Sequence, residues 1–412
     1  MARKKSENND GLDMDDIFNS LAKETGGSIL SDIETCPYFF DTGNLAINYS
    51  CSGKFIGGGL PGAKIIEGYG GEASGKSLLG SSLLYSCQKM GGWANLIDCE
   101  NASNTEFMEK ISHLNLKRVI RHTPSTLERA FQTIHSVTKA IREREVNLKL
   151  DRKPILFVFD SLTVPPLERE LKENDLPVDY SVADWKKIVG RREQPGERGK
   201  FYSSALRRLQ AMIIKEDVTV YLINQTRDKI GILYGNPETP AGGSNSLKFY
   251  ASLRFRTAAK KKIEHKTLEK FAGINMEIKN VKNRLFRPFV VASDIKLFFE
   301  SGIDPISGVL NLLIESERII PGKVGNYEVA SNYLPDGVDN YKFKASKTEN
   351  RVDKKVLIDC PKLIDANSSE EVLEYLQDWS SGMDAFESGE YGEKEIAIDS
   401  DGEIEVLGNE EN

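Results

Sequence analysis

Eight consecutive residues, Gly70-Gly71-Glu72-Ala73-Ser74-Gly75-Lys76-Ser77, have the types and spacing G-x-x-x-x-G-K-[ST] of a phosphate-binding loop. The glycines let the backbone curl so that its N–H groups face phosphate oxygens, and a helix starting there adds its partial positive charge. Lys76 can reach the β and γ phosphates of ATP, and the Ser77 hydroxyl can hold Mg²⁺. Two carboxylates could complete the chemistry. Glu100 lies just past the apolar run 93–98, where it is a candidate base for activating water. A solvated loop glutamate would fit that position equally well. Asp160 ends the run Ile155-Leu156-Phe157-Val158-Phe159, the Walker B pattern, and could orient Mg²⁺ through water.

These side chains need a scaffold that brings distant segments to one edge. The run 63–66 reads as a strand, and the spacing of Leu78, Leu79, Leu83 and Leu84 as a helix. Strands follow at 93–98 and 117–122. Ser125-Thr126-Leu127-Glu128 is a capping box opening a long helix to about residue 146. The run 155–161 is continuously apolar, as in a strand buried on both faces. A helix at 201–214 leads to a strand at 218–223, which ends in Asn224-Gln225. Further β structure is expected at 248–256, 275–280 and 289–299, with helices at 307–317 and 369–379. Lys260-Lys261-Lys262 reads as a basic cluster at a turn, equally well a solvated corner. The fold class is α/β, a mostly parallel sheet flanked by helices, with acidic residues at the strand ends where open sheets of this kind bind ligands.

At 412 residues the chain can hold one large domain with appendages. A net charge of −7 argues against a globally basic nucleic-acid binder but hides where the cations lie. The five cysteines form no C-x-x-C pair, and the four histidines lack metal-ligand spacing. No apolar run is long enough to span a membrane, and the polar N-terminus has no secretory character. Both point to a cytoplasmic protein without a membrane partner. Met14, Ile17, Phe18, Leu21 and Ala22 recur at helical spacing, giving a short amphipathic helix that packs on its own domain or docks on a neighbouring subunit. The polar stretch 165–200 carries Trp185, Lys186, Lys187, Arg191 and Arg192, a mix that suits nucleic-acid contact as well as a solvated loop. A second loop, 226–246, is rich in Gly, Pro and Asn. Past Gly382 the chain is acidic and expected to be disordered, a solubility device or an internal competitor for a DNA-binding surface.

Taken together, these residues resemble the RecA family of homologous-recombination ATPases, from about residue 26 to 321. The most specific part is Ile223-Asn224-Gln225-Thr226-Arg227-Asp228-Lys229-Ile230-Gly231, then Gly235-Asn236-Pro237-Glu238-Thr239, Gly242-Gly243 and Leu247-Lys248-Phe249-Tyr250-Ala251-Ser252. This string is similar to the bacterial family's second DNA-binding loop and exit strand. Leu96-Ile97-Asp98-Cys99-Glu100 resembles the strand end carrying its catalytic glutamate.

The resemblance implies that Gln225 senses the γ-phosphate, with Glu100 and Lys76 catalytic. It implies adenine contacts at Asn104, Phe107 and Phe299, more apolar here than is usual in the family. It also implies DNA contacts at Lys200, Arg207, Arg227, Ile230, Gly242 and Gly243. Lys282 and Arg284 match a basic pair that reaches a neighbouring subunit's ATP. Phe249 resembles an aromatic wedge between subunits, and the helix with Phe18 resembles the family's polymerisation helix. The implied organisation is a polymerisation segment in 1–30, an ATPase core in 31–302 with loops at 163–200 and 226–246, a small domain in 303–382 and an acidic tail in 383–412.

The implied function is an ATP- and Mg²⁺-dependent recombinase. It would form a helical homo-oligomeric filament on single-stranded DNA and exchange strands with homologous duplex DNA, with single-strand-binding and mediator proteins as partners. A RecA-fold hexameric DNA helicase is the alternative. The first loop is longer and more basic than is usual in bacterial members, Ser244 looks like an extra residue in the second loop, and the region after 321 departs from the usual C-terminal domain. Such divergence suits a phage-encoded recombinase of the bacterial cytoplasm.

Overall fold

The structure is a computed structural model describing residues 14–29, 36–101, 104–172, 196–228, 238–242, 244–267, 270–388, 391–398 and 404–406. It divides into a unit at 1–37 and a unit at 38–412. In the first, α1 (Met14–Thr25) has no buried residue. Its apolar positions Met14, Ile17, Phe18 and Leu21 are all exposed.

In the second unit, β1 (Phe39–Phe40), α2 (Leu45–Ser52) and β2 (Leu60–Pro61) precede β3 (Ile65–Gly70), α3 (Lys76–Lys89) and β4 (Trp93–Asp98). Next come α4 (Thr105–Ser112), β5 (Val119–His122), α5 (Leu127–Asn147), β6 (Ile155–Asp160) and α6 (Glu168–Lys172). They are followed by α7 (Glu197–Glu216), β7 (Val218–Asp228), β8 (Glu238–Pro240) and α8 (Ser244–Tyr250). A long antiparallel pair, β9 (Leu253–His265) and β10 (Phe271–Asn283), leads to β11 (Val291–Phe298) and β12 (Gly302–Ile303).

The sheet order is β12-β11-β10-β9-β3-β7-β6-β4-β5. Strands from β9 to β5 along this order run parallel, and β9 to β12 are antiparallel. The inner parallel strands β3, β4 and β6 are buried on both faces, which is why β6 reads as an unbroken apolar run, while edge strand β5 is partly exposed. One face packs on α2 and α3 through Leu79, Leu83 and Leu84; the other packs on α5 and α7 through Phe131, Ile134, Leu206 and Leu209.

The chain continues through α9 (Val309–Glu315), β13 (Ile319–Pro321), β14 (Asn326–Val329), β15 (Lys342–Lys344), α10 (Lys354–Asp359), α11 (Ser369–Asp378) and α12 (Ser380–Glu387). This region shares its apolar core with the α2–α3 face of the sheet, through Val352, Leu357, Val372 and Trp379. The Arg318 guanidinium lies 4.9 Å from the Phe55 ring, 5.2 Å from Tyr333 and 5.7 Å from Tyr49. It also pairs with Asp365 at 2.7 Å. The cation thus joins residues from both sides of the seam.

Three local expectations are corrected. Residues 248–250 close a helix, because the segment after the Gly-rich loop winds about two turns onto α7 before the strand begins at Leu253. Lys260, Lys261 and Lys262 stand within β9, whose polar half extends beyond β3 and pairs with β10. The acidic region is not uniformly without structure. α12 runs to Glu387, with Met383 buried and Glu387 paired to Arg351 and Lys354. Backbone of β16 (Tyr391–Ile398) then pairs antiparallel with the β9 edge, Lys394 opposite Lys262, and β17 (Ile404–Val406) pairs with β16. Among the described residues no helix is long and apolar enough to cross a membrane.

Candidate nucleotide and DNA site

Parallel register lines up the strand ends. Gly70 sits opposite Gln225, and Asp98 opposite Asp160, so the candidate residues of β3, β4, β6 and β7 share one edge. The loop 70–77 turns from β3 into α3 at Gly75, whose φ of +86° favours glycine. A Cβ at Gly70 would meet the Thr257 carbonyl oxygen at 2.2 Å, so that position is closed to larger residues. Gly71, by contrast, has nothing within 4 Å of a Cβ position, leaving open space beside the loop.

Lys76 is buried and folds its ammonium onto the loop. It donates to the Gly70 carbonyl at 3.0 Å, to the Gly71 carbonyl and to Ser74 Oγ. Those carbonyls hold the cation where a phosphate oxygen could replace them. Ser77 Oγ donates to Asp160 Oδ2 at 2.6 Å. Burial pushes the Asp160 carboxyl up to about 6; the Ser77 bond opposes that rise and the charge of Glu100 adds to it. A hard cation would relieve the crowded charge, and hydroxyl plus carboxylate is an oxygen donor set that fits Mg²⁺.

Glu100 is exposed at the end of β4. Its Oε1 accepts from Ser161 Oγ at 2.6 Å and from Gln225 Nε2 at 3.1 Å. The turn that carries it is anchored from behind, where Arg121 on β5 donates to buried Asp98 at 2.7 and 3.1 Å and to Asn101 at 2.7 Å. Burial and then the Asp98 charge raise the neighbouring Cys99 thiol to about 12, so it stays protonated.

A cavity of about 230 Å³ brings together Ser77, Asp98, Glu100, Asn104, Phe107 and Asp160. Asn104 caps α4, its Oδ1 accepting from the Phe107 N–H at 3.1 Å. Phe299 is not in that cavity. It lines a second one, of about 400 Å³, on the far side of the loop with Gly71, Glu72, Ala73 and Ser74.

The second loop leaves the same edge. Asn224 Nδ2 donates to Glu67 Oε1 at 2.8 Å and to the Gly242 carbonyl at 2.9 Å, and its Oδ1 accepts from the Gly242 N–H at 2.8 Å. Glu67 is in turn paired with buried Arg254. Both backbone groups of Gly242 are therefore engaged at the base of the loop. Arg227 lies in β7, while Ile230 and Gly243 lie outside the described residues. Lys200 and Arg207 are exposed on α7.

Lys282 donates to the Lys248 and Phe249 carbonyls at 2.7 and 3.0 Å, and Arg284 to the Phe249 carbonyl at 3.0 Å. Two cations thus hold the C-terminal end of α8, where the helix dipole is negative. Burial, then the charges of Arg284 and Arg254, lower Lys282 to about 8. Beside them Phe249 is 72% exposed, an apolar surface that the described residues leave uncovered. Sequence reading did not find Ser161, Asn224, Glu67 or Arg121; the only local signal was a hydroxyl directly after Asp160 and an amide directly before Gln225.

A P-loop between a parallel strand and a helix, with carboxylates on neighbouring strand ends, defines a nucleotide-binding P-loop ATPase. The model of the RecA N-terminal domain matches residues 21–147 and 188–304. Protein RecA of Bordetella pertussis is 30% identical over 81% of this chain and 88% of its own length. Protein RecA of Thermus aquaticus is 27% identical over 85% of this chain and 97% of its own. Protein RecA of Gloeobacter violaceus is 32% identical over 69% of each. The chain belongs to the RecA family. It is accordingly a DNA-dependent ATPase of recombination and repair that binds single-stranded DNA and assembles into filaments. The break in the family match covers 148–187, which includes most of the long first loop, and the match ends where the C-terminal region begins.

Proposed function

We propose that the nucleotide is ATP with Mg²⁺, bound where Lys76, Ser77 and Asp160 meet, and that Glu100 takes a proton from the attacking water. The carrying observation is the convergence of Lys76, Ser77, Asp160, Glu100 and Gln225 on one strand edge. Mg²⁺ on Ser77 and Asp160 would neutralise charge on the phosphates. Gln225 reads the γ-phosphate by exchanging its bond to Glu100 for one to the nucleotide, which moves the root of the second loop. Asn104 and Phe107 flank the adenine; Phe299 serves it from the opposite side of the loop only if the ring system spans both cavities.

Lys282 and Arg284 act across the subunit boundary. Cations supplied by a neighbour stabilise developing charge only in an assembled filament, which ties turnover to assembly. α1 with Phe18, and the exposed Phe249, are the subunit contacts. Lys200, Arg207 and the second loop, with Arg227, Ile230, Gly242 and Gly243, hold the strand by phosphate contacts, so homology is read by base pairing and binding weakens with salt. We assign 1–30 to polymerisation, 31–302 to the ATPase core, 303–382 to a small C-terminal domain and 383–412 to an acidic tail. Homologous duplex, single-strand-binding proteins and mediators are the expected partners, in the bacterial cytoplasm, with a phage as a fitting source.

The test is electron microscopy with single-stranded DNA and a slowly hydrolysed ATP analogue. A continuous helical filament that needs both ligands is the expected result. Closed rings threaded on the strand would return the ring-helicase reading.

A further inference from the structure

Ser161 is 1% exposed and follows Asp160 at the end of β6. Its hydroxyl lies 2.6 Å from Glu100 Oε1 and 3.0 Å from Thr163 Oγ1. A serine hydroxyl has one proton. The ionised carboxylate can only accept, so the Ser161 proton goes to Glu100. Thr163 must then be the donor in the serine–threonine pair. The chain of donation runs from Thr163 to Ser161 to Glu100, and Gln225 donates to the same oxygen from the other side.

We propose that Ser161 is a positioning residue for Glu100, and that Thr163 and Gln225 connect that carboxylate to the roots of both DNA-binding loops. Thr163 stands where the first loop leaves the sheet, and Gln225 where the second does. Both protein donors fall on Oε1, and among the described residues no hydrogen bond falls on Oε2. A carboxylate held by one oxygen keeps the other for water. A short bond to a charged acceptor is the strong kind, and a buried donor fixed by a second hydroxyl has little freedom to swing away. When Gln225 turns to the nucleotide, Ser161 is the donor that remains. A shift of the first loop on DNA acts on Glu100 through Thr163, independently of the second loop.

This inference rests on the reading of Glu100 as the base. The experiment measures ATP turnover of the full chain, with and without single-stranded DNA, for Ser161→Ala, Ser161→Thr, Thr163→Val and Glu100→Gln. Misplacing the base should lower the kcat of Ser161→Ala by about 10–100-fold with little change in KM for ATP. Ser161→Thr, which keeps the hydroxyl, should recover most of it. Thr163→Val is the second variant should Ser161→Ala fail to fold. It should lower the ratio of DNA-stimulated to unstimulated turnover by several-fold.

Native kcat in Ser161→Ala, equal losses in the Ala and Thr variants, or an unchanged stimulation ratio in Thr163→Val would each overturn the proposal. Native turnover in Glu100→Gln would instead remove the base assignment on which it rests.

Discussion

The Gln225 amide and the Glu100 carboxylate, 125 residues apart in the chain, meet at 3.1 Å. One is the last side chain before the second loop and the other the candidate base. Gln225→Ala should therefore leave ATP binding largely intact but lose most DNA stimulation of turnover, by about tenfold or more. Fluorescent-nucleotide binding beside steady-state hydrolysis, with and without single-stranded DNA, checks both halves. Full stimulation in the variant would show that the amide carries no signal between the sites.

Lys76 is the one cation inside the phosphate loop, and its ammonium is held by that loop's own carbonyls. Lys76→Ala should reduce ATP turnover by at least about 100-fold, because no other side chain of the loop supplies positive charge to the phosphates. Turnover that survives would mean that the site has been misassigned.

The acidic tail should be cut in two places. Removal of everything after Ser388 takes away β16 and β17 but keeps α12. Removal after Gly382 also deletes buried Met383 and the Glu387 pairs with Arg351 and Lys354. The longer chain should melt like the native protein, and the shorter one several degrees lower. Because β16 covers the basic edge of β9, the chain ending at 388 should bind duplex DNA more tightly at low salt. Unchanged duplex binding would leave the tail as a solubility device.

Asp41 makes a pH prediction with a definite sign. Burial raises its carboxyl from 3.8 to about 6, against the Gly43 N–H bond that favours ionisation. Between those two values the folded chain holds more proton than the unfolded chain. Its contribution to stability is therefore full below pH 4 and is lost as pH rises towards 6. Asp41→Asn, which can still accept from Gly43 and Tyr375, should show no advantage at pH 4 and a gain of up to about 3 kcal/mol above pH 6. Denaturant melts of both proteins across this range test it. A difference that does not grow with pH would show that the carboxyl ionises freely.

The parts of the site that could be read from sequence are those whose chemistry is local. The P-loop is eight adjacent residues. Asp160 ends an apolar run that only a doubly covered strand explains, and Gln225 sits in a distinctive string. The unread parts are long-range contacts between ordinary residues. Nothing near Arg121 announces Asp98, and Glu67 looks like a surface acid until Arg254 and Asn224 close on it. The lysines at 260–262 suggested a corner because a polar run lacks the apolar alternation of a half-buried strand; here the backbone pairing of β10 sustains the strand. The helix at 244–250 was hidden by the Gly- and Asn-rich sequence before it.

The seam around Arg318 bears on how such a protein can change over time. Its positive charge is shared among Phe55 and Tyr49 on one side and Tyr333 and Asp365 on the other. Transplanted onto a relative lacking those two rings, the C-terminal segment would bring a cation with half its shelter. Removed, it would strip the α2 face of its cover. Recombination at the gene level therefore cannot exchange this segment as an independent cassette, and successful variants should alter both sides of the seam in step.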